Sequence, residues 1–217
     1  FPIYASAAAF AGATPVPLPL RPETGFRLDP DDLRAQLTER TRLLILNSPH
    51  NPTGAVLTPE DLAAIAELVR GRPLVVLSDE IYREIVYDDR VMSIASLPGM
   101  RDQTIILDGF SKTYAMTGWR LGYGVMARPL AEAMTRLIVN SVSCTAAMTQ
   151  RAGLAALTGP QDAVHAMVAE FRRGRDALVA GLNAIPGVTC HLPGGAFYAF
   201  PDIRGTGLSS AQLAERL

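Results

Sequence analysis

"TRLLILNSPHNPTGAVLTPEDLAAIAELVRGRPLVVLSDE", residues 41–80, decides the fold. Its opening run, 42–47 ("RLLILN"), has four apolar residues in succession and reads as a short buried strand. A proline-stiffened loop follows. "TPEDLAAIAELVRG" then carries the marks of a helix: Thr58 as N-cap, Pro59 at the first position, Glu60 and Asp61 in the first turn, and Gly71 beyond the end. "PLVVLSDE" is a second buried strand. Strand, helix and strand in this order predict an α/β fold, a largely parallel sheet with helices on its faces.

Outward from this unit the alternation continues. "TIILDGF", from Thr104, is a third strand, and helices are expected at 30–40, 128–140, 144–158 and 161–184, the last as a connector. "GVTCHLPGGAFYAFPDI" returns to β character, with a Pro193-Gly194-Gly195 turn between short strands. The change of texture divides the chain into a large domain over 1–165 and, over 166–217, a connector helix plus the start of a smaller α+β domain. The chain opens in mid-pattern without an initiator methionine. It closes about two turns into a helix capped by Ser209 or Ser210, so it reads as an internal fragment.

Composition narrows the function classes. With 48% hydrophobic residues, 19% charged residues and a net charge of -1, nothing favours nucleic acid or an anionic membrane as partner. The apolar runs are strand-sized, too short to span a bilayer. Residues 1–20 are apolar but interrupted by prolines and lack a basic start, so they are not expected to be a secretory leader. Two cysteines, Cys144 and Cys190, give no disulfide framework, which makes a cytoplasmic setting the expectation. His50, His165 and His191 match no metal-ligand spacing, and no metal is expected.

In open α/β sheets, ligands sit beyond the carboxyl ends of the strands. Three segments end there. "LNSPHNPTG" brings Asn51, "LSDEIY" brings Asp79 and Tyr82, and "DGFSKTYAMTGWRLGYG" brings Ser111, Lys112 and Arg120. Asp79 at a buried strand end calls for a cation or hydrogen-bond donors. Lys112 stands out by composition: of 20 Lys+Arg it is the one lysine, the other 19 being arginine. An amine that can lose its proton is the property arginine cannot copy. Glu80 is read as structural and Trp119 as core packing. The glycines of "GWRLGYG" do not follow the G-x-G-x-x-G order, so a dinucleotide fold is rejected.

These segments resemble the class I/II aminotransferases, pyridoxal-phosphate enzymes of fold type I. "NPTG" (51–54), "DEIY" (79–82), "GFSKTYAMTGWRLG" (109–122) and "GGAFYAFPDI" (194–203) look like the family's landmarks, in order, with an arginine eight residues past the lysine. The wording is most similar to the bacterial aspartate-type subgroup. The resemblance implies that 1–165 is the cofactor-binding large domain. It also implies amino-group transfer between an amino acid and a 2-oxo acid, with pyridoxal 5′-phosphate as cofactor and a homodimer as the assembly.

The roles it implies are specific. Lys112 forms an imine with the cofactor aldehyde and, once displaced by substrate, is the base. Asp79 pairs with the pyridine nitrogen, Asn51 and Tyr82 donate to the ring's O3′ oxygen, and Arg120 clamps the phosphate with help from Ser111. Catalysis is thus expected of Lys112, Asp79 and Tyr82. Phe1 falls where relatives place the aromatic that stacks on the ring. Gly109 stands where many relatives have a phosphate-binding serine. The family's glycine-rich phosphate loop and substrate-carboxylate arginine fall before Phe1 and after Leu217, so the 217 residues alone are expected to turn over little substrate. Two other functions use the same cofactor residues: a C–S lyase or decarboxylase, and the sensor domain of a transcriptional regulator.

Overall fold

The structure, a computed structural model, describes residues 2–87 and 91–217. Its centre is a four-stranded sheet of β1 (Leu43–Asn47), β2 (Val75–Asp79), β3 (Thr104–Gly109) and β4 (Gly122–Val125), in that order. The first three are parallel and β4 runs antiparallel to β3. The alternation of the sequence thus yields the expected mostly parallel α/β sheet. The crossover between β1 and β2 is α3 (Pro59–Val69), and its start is fixed chemically. Thr58 Oγ1 accepts from the Asp61 backbone N–H while the Asp61 side chain accepts from that of Thr58, a reciprocal capping box.

One stripe of α3 (Leu62, Ile65, Ala66 and Val69) faces the sheet and meets Leu44, Leu46 and Val76 in a buried cluster. The spacing of i, i+3, i+4 and i+7 is that of one helix face. Each of the larger side chains stabilises the fold by about 1.5–3 kcal/mol relative to exposure. Shorter helices flank this layer: α1 (Ile3–Phe10) and α2 (Pro30–Gln36), the latter capped by Asp29 through the Asp31 N–H. α2 stops four residues short of the expected 40, because Leu37 turns to extended backbone and Thr41 Oγ1 takes the Thr38 N–H.

After β3 come α4 (Phe110–Thr113), α5 (Arg128–Ser141), α6 (Ala147–Thr158), α7 (Asp162–Asn183) and α8 (Ser210–Arg216). α7 is continuous through residues 165 and 166. α8 has Ser209 as cap, with a capping box to Gln212. No residue of α5 or β4 is buried, and Val125, Leu137, Val139 and Val142 are exposed. No helix among the described residues is long and apolar enough to cross a membrane.

The 187–203 segment departs from the expectation of short strands. Its pairing is reduced to two isolated bridges, Val86 to Gly195 and Thr189 to Asp202. The backbone donors go elsewhere: Gly194 and Gly195 N–H both donate to Gly54 O at 3.0 Å, and Ala196 N–H to Ile85 O at 2.8 Å. The turn is therefore sewn onto the loops after β1 and β2 instead of building a ladder. Gly195 permits this approach. A Cβ there would lie 2.8 Å from Pro49 Cβ and 2.9 Å from Ile85 O, both parts of rigid neighbours. Gly195→Ala is accordingly expected to destabilise the fold by about 2–3 kcal/mol, read as a lowered urea midpoint in the full-length protein.

Candidate active site

Register brings the expected residues to one end of the sheet. Asn47 pairs with Asp79 across β1 and β2, and Asp79 with Leu107 across β2 and β3. β3 then ends at Gly109, and α4 carries Ser111 and Lys112. Asn47 laces the first two strand ends together. Its Nδ2 donates to Asp79 O at 3.1 Å and its Oδ1 accepts from Asn51 N–H at 2.9 Å.

The half-buried Asp79 carboxylate is met by donors and, among the described residues, by no arginine. Tyr4 Oη donates to Oδ2 at 2.5 Å and the Ile81 N–H to Oδ1 at 3.2 Å. Burial, reinforced by the bond to Asp79, pushes the Tyr4 phenol above its ordinary range, so it keeps its proton and donates. Tyr82 is 3% exposed, its ring edge-on to Phe197 and Tyr198. Its hydroxyl lies 2.6 Å from that of Tyr198, which also accepts from Asn51 Nδ2 at 3.2 Å. Burial and then the Tyr198 bond raise the Tyr82 phenol as well, leaving it protonated at neutral pH.

Lys112 Nζ sits 5.9 Å from the centroid of the Tyr82 ring and 5.6 Å from that of Phe197. At this distance the rings form the wall beside the amine. No carboxylate among the described residues forms a salt bridge with it. Asn51, Asp79, Tyr82 and Lys112 therefore form one neighbourhood, through Asn47, Tyr198 and the aromatic rings.

Ser111, on α4 beside Lys112, and Arg120, at the end of the 117–119 turn, are linked through Thr117. Thr117 Oγ1 donates to Ser111 O at 2.9 Å, and the exposed Arg120 sends Nη1 to Thr117 O at 2.9 Å. Arg120 adopts left-handed backbone, φ 54°, uncommon for a side chain of this size. Gly109 is set by packing: a Cβ there would come within 3.0 Å of Gly122 Cα and 3.1 Å of Leu121 O. Glu80 is buried, its Oε1 accepting from Ser78 and Ser93 hydroxyls at 3.0 and 2.5 Å, with Oε2 3.5 Å from Arg83. His50 Nδ1 lies 2.8 Å from Thr53 Oγ1, and burial pushes the imidazole down to about 4. Trp119 corrects its expectation: 49% exposed, it lies at the end of the 117–119 turn, which carries it out of the core. Phe1 lies outside the described residues. Sequence reasoning passed over Tyr4 and Tyr198. Tyr198 stands within the "GGAFYAFPDI" landmark, whereas nothing local distinguishes Tyr4 in an apolar helix.

Comparison with known proteins gives the family and the fold. The model of the family "Aminotransferase class I and II" matches residues 1–217. The chain belongs to that family. Among class I and II aminotransferases it is 44% identical to the aromatic-amino-acid aminotransferase 2 of Thermococcus litoralis, over 99% of this chain and 56% of the relative. It is 42% identical to the aspartate aminotransferase of Musicola paradisiaca, over 96% of this chain and 52% of the relative. The crystal structure of an aromatic aminotransferase from Pyrococcus horikoshii superposes with a TM-score of 0.95 at 45% identity, covering 99% of this chain and 58% of that one. The chain thus spans about half the length of the relatives it matches, and its fold is that of the fold type I aminotransferases.

Proposed function

We propose that the full-length protein is an aminotransferase that uses pyridoxal 5′-phosphate to move an amino group between an amino acid and a 2-oxo acid. The observation that carries this reading is the placement of the sole lysine. Lys112 Nζ sits over the touching Tyr82 and Phe197 rings, at the strand ends that carry Asp79 and Asn51. The donor set suits that cofactor. It offers one primary amine for an aldehyde, one carboxylate for a basic ring nitrogen, and an amide and a phenol for an oxygen anion. The Ser111 hydroxyl beside Lys112 and the Arg120 guanidinium after the 117–119 turn are suited to a phosphate.

When bound, the cofactor supplies an electron sink for charge developing on the substrate's α-carbon. The protein's residues do the rest. Lys112 Nζ would hold the cofactor through its aldehyde and would serve as the base that moves a proton at the substrate's α-carbon. Asp79, oriented by Tyr4 and Ile81 N–H, would face the ring nitrogen and favour its protonated form. Tyr82 and Asn51 would donate to the phenolic oxygen, and Arg120 with Ser111 would hold the phosphate. The two-domain division at 165/166, a homodimeric assembly and a cytoplasmic setting belong to the same proposal.

The test supplies the full-length protein with pyridoxal phosphate, ¹⁵N-labelled amino acids and 2-oxoglutarate. The label is expected in glutamate. Ammonia and pyruvate released in its place would show an eliminating lyase. Cofactor binding without turnover of any amino acid would point to a sensor domain.

A further inference from the structure

We propose that Tyr198 is a positioning residue that makes Tyr82 and Asn51 converge as donors, and so sets the proton affinity of the cofactor-bound Lys112 nitrogen. The inference rests on the cofactor reading above and adds to it a residue from the 187–203 segment.

Tyr82 has one O–H to give, and Asn51 Nδ2 has two N–H groups. Asn51 Nδ2 spends one on Tyr198 Oη at 3.2 Å, and its second is directed toward the Tyr82 hydroxyl, where an oxygen shared with Tyr82 would receive it. The Tyr82 and Tyr198 hydroxyls are 2.6 Å apart, so one of them donates to the other. If Tyr82 gave its proton to Tyr198, it would have none for a cofactor oxygen. Tyr198 must then be the donor: it accepts from Asn51 and gives to Tyr82, which frees the Tyr82 O–H to point outward. Chained donors polarise one another, and Tyr82 becomes a stronger donor than an isolated phenol.

The segment is built to hold this position. Gly194 and Gly195 N–H are both fixed on Gly54 O, two residues beyond Pro52, and Ala196 N–H on Ile85 O. Arg175 Nη1 donates to Pro193 O at 2.9 Å while its guanidinium stacks 4.6 Å from the Tyr87 ring centroid. The Tyr198 ring is packed 5.0 Å from that of Phe197 and 5.7 Å from that of Tyr82. The hydroxyl is therefore delivered by backbone bonds to both strand-end loops, so its place does not depend on side-chain choice alone.

Losing the Tyr198 hydroxyl leaves Tyr82 without its incoming donor, and the cofactor's phenolic oxygen keeps more negative charge. That charge holds a proton on the neighbouring Lys112 nitrogen more firmly, so the pH midpoint rises. The test follows the visible absorption of the cofactor-loaded full-length protein against pH. Tyr198→Phe is expected to raise the midpoint by about 0.5–1 pH unit. Tyr198→Leu, which lacks the hydroxyl but fills the slot differently, should raise it equally. In a Tyr82→Phe background, Tyr198→Phe should move it no further.

An unshifted midpoint in both Tyr198 variants would overturn the proposal, as would a shift of undiminished size in the Tyr82→Phe background. Unequal shifts in Phe and Leu would assign the effect to packing and overturn it too. A parent protein that binds pyridoxal phosphate with no covalent link to Lys112 would instead sink the cofactor reading itself.

Discussion

Lys112→Ala is expected to lower amino-group transfer by about 10⁴-fold or more and to abolish covalent capture of the cofactor. Two functions are lost at once, the anchor and the proton carrier, and no neighbour can stand in. Within the 217 residues there is no second lysine, and the 19 arginines cannot give up a proton. Lys112→Arg should therefore fail as completely as alanine although it preserves the positive charge near Tyr82 and Phe197. That comparison separates chemistry from electrostatics. If the residue served only as a cation over two aromatic rings, arginine would restore most of the activity. A small primary amine added to Lys112→Ala should recover part of the rate, because the cavity left by the side chain admits the missing base. The anchor is read by borohydride reduction and peptide mass analysis. Label is expected on residue 112 of the parent and nowhere between 2 and 217 in either variant. Turnover within tenfold of the parent in either variant would refute the assignment.

Part of this site was legible because the chemistry is local in sequence. The β1–α3–β2 unit carries its own instructions: apolar runs, a capping box, Pro59 at the helix start and Gly71 past its end. The candidate residues lie at strand ends or within a few positions of them. Contacts between distant segments were not legible. Tyr4 reaches Asp79 across 75 residues and Tyr198 reaches Asn51 across 147, and in neither case does a local pattern record the meeting. β4 escaped notice for a related reason. "GYGV" has two glycines and little intrinsic preference for a strand, yet it pairs with Ile106–Gly109 because the close approach of Gly109 to Gly122 requires small residues on both sides. The 187–203 segment erred the other way. Its aromatic and β-branched residues read as strands, but two glycines and the carbonyls of Gly54 and Ile85 claimed its backbone. Tertiary hydrogen bonding outweighed propensity there. The same bonds bring Tyr198 to the site.

Asp79→Asn is expected to lower the catalytic rate by about 10³-fold while leaving the covalent link to Lys112 intact. Asparagine matches aspartate in shape, and its amide oxygen can still accept from Tyr4 Oη or Ile81 N–H, so the 79–82 turn should keep its form. The change removes the charge and one of the two acceptor oxygens. A preorganised neutral donor is worth about 10²–10³ in rate in a water-poor site, and a full carboxylate facing a protonated ring nitrogen should be worth at least as much. The loss should fall on kcat more than on KM, since the charge acts as electrons move toward the ring and contributes less to substrate binding. Tyr4→Phe offers a graded comparison. It leaves the charge but removes the 2.5 Å bond that orients it, so its effect should have the same sign at about a tenth to a hundredth of the size. If Asp79→Asn lost the covalent link together with the rate, the carboxylate would be holding up the strand end. If it retained full kcat, the ring nitrogen would need no counter-charge here, and the role assigned to Asp79 would be wrong even with Lys112 correctly placed.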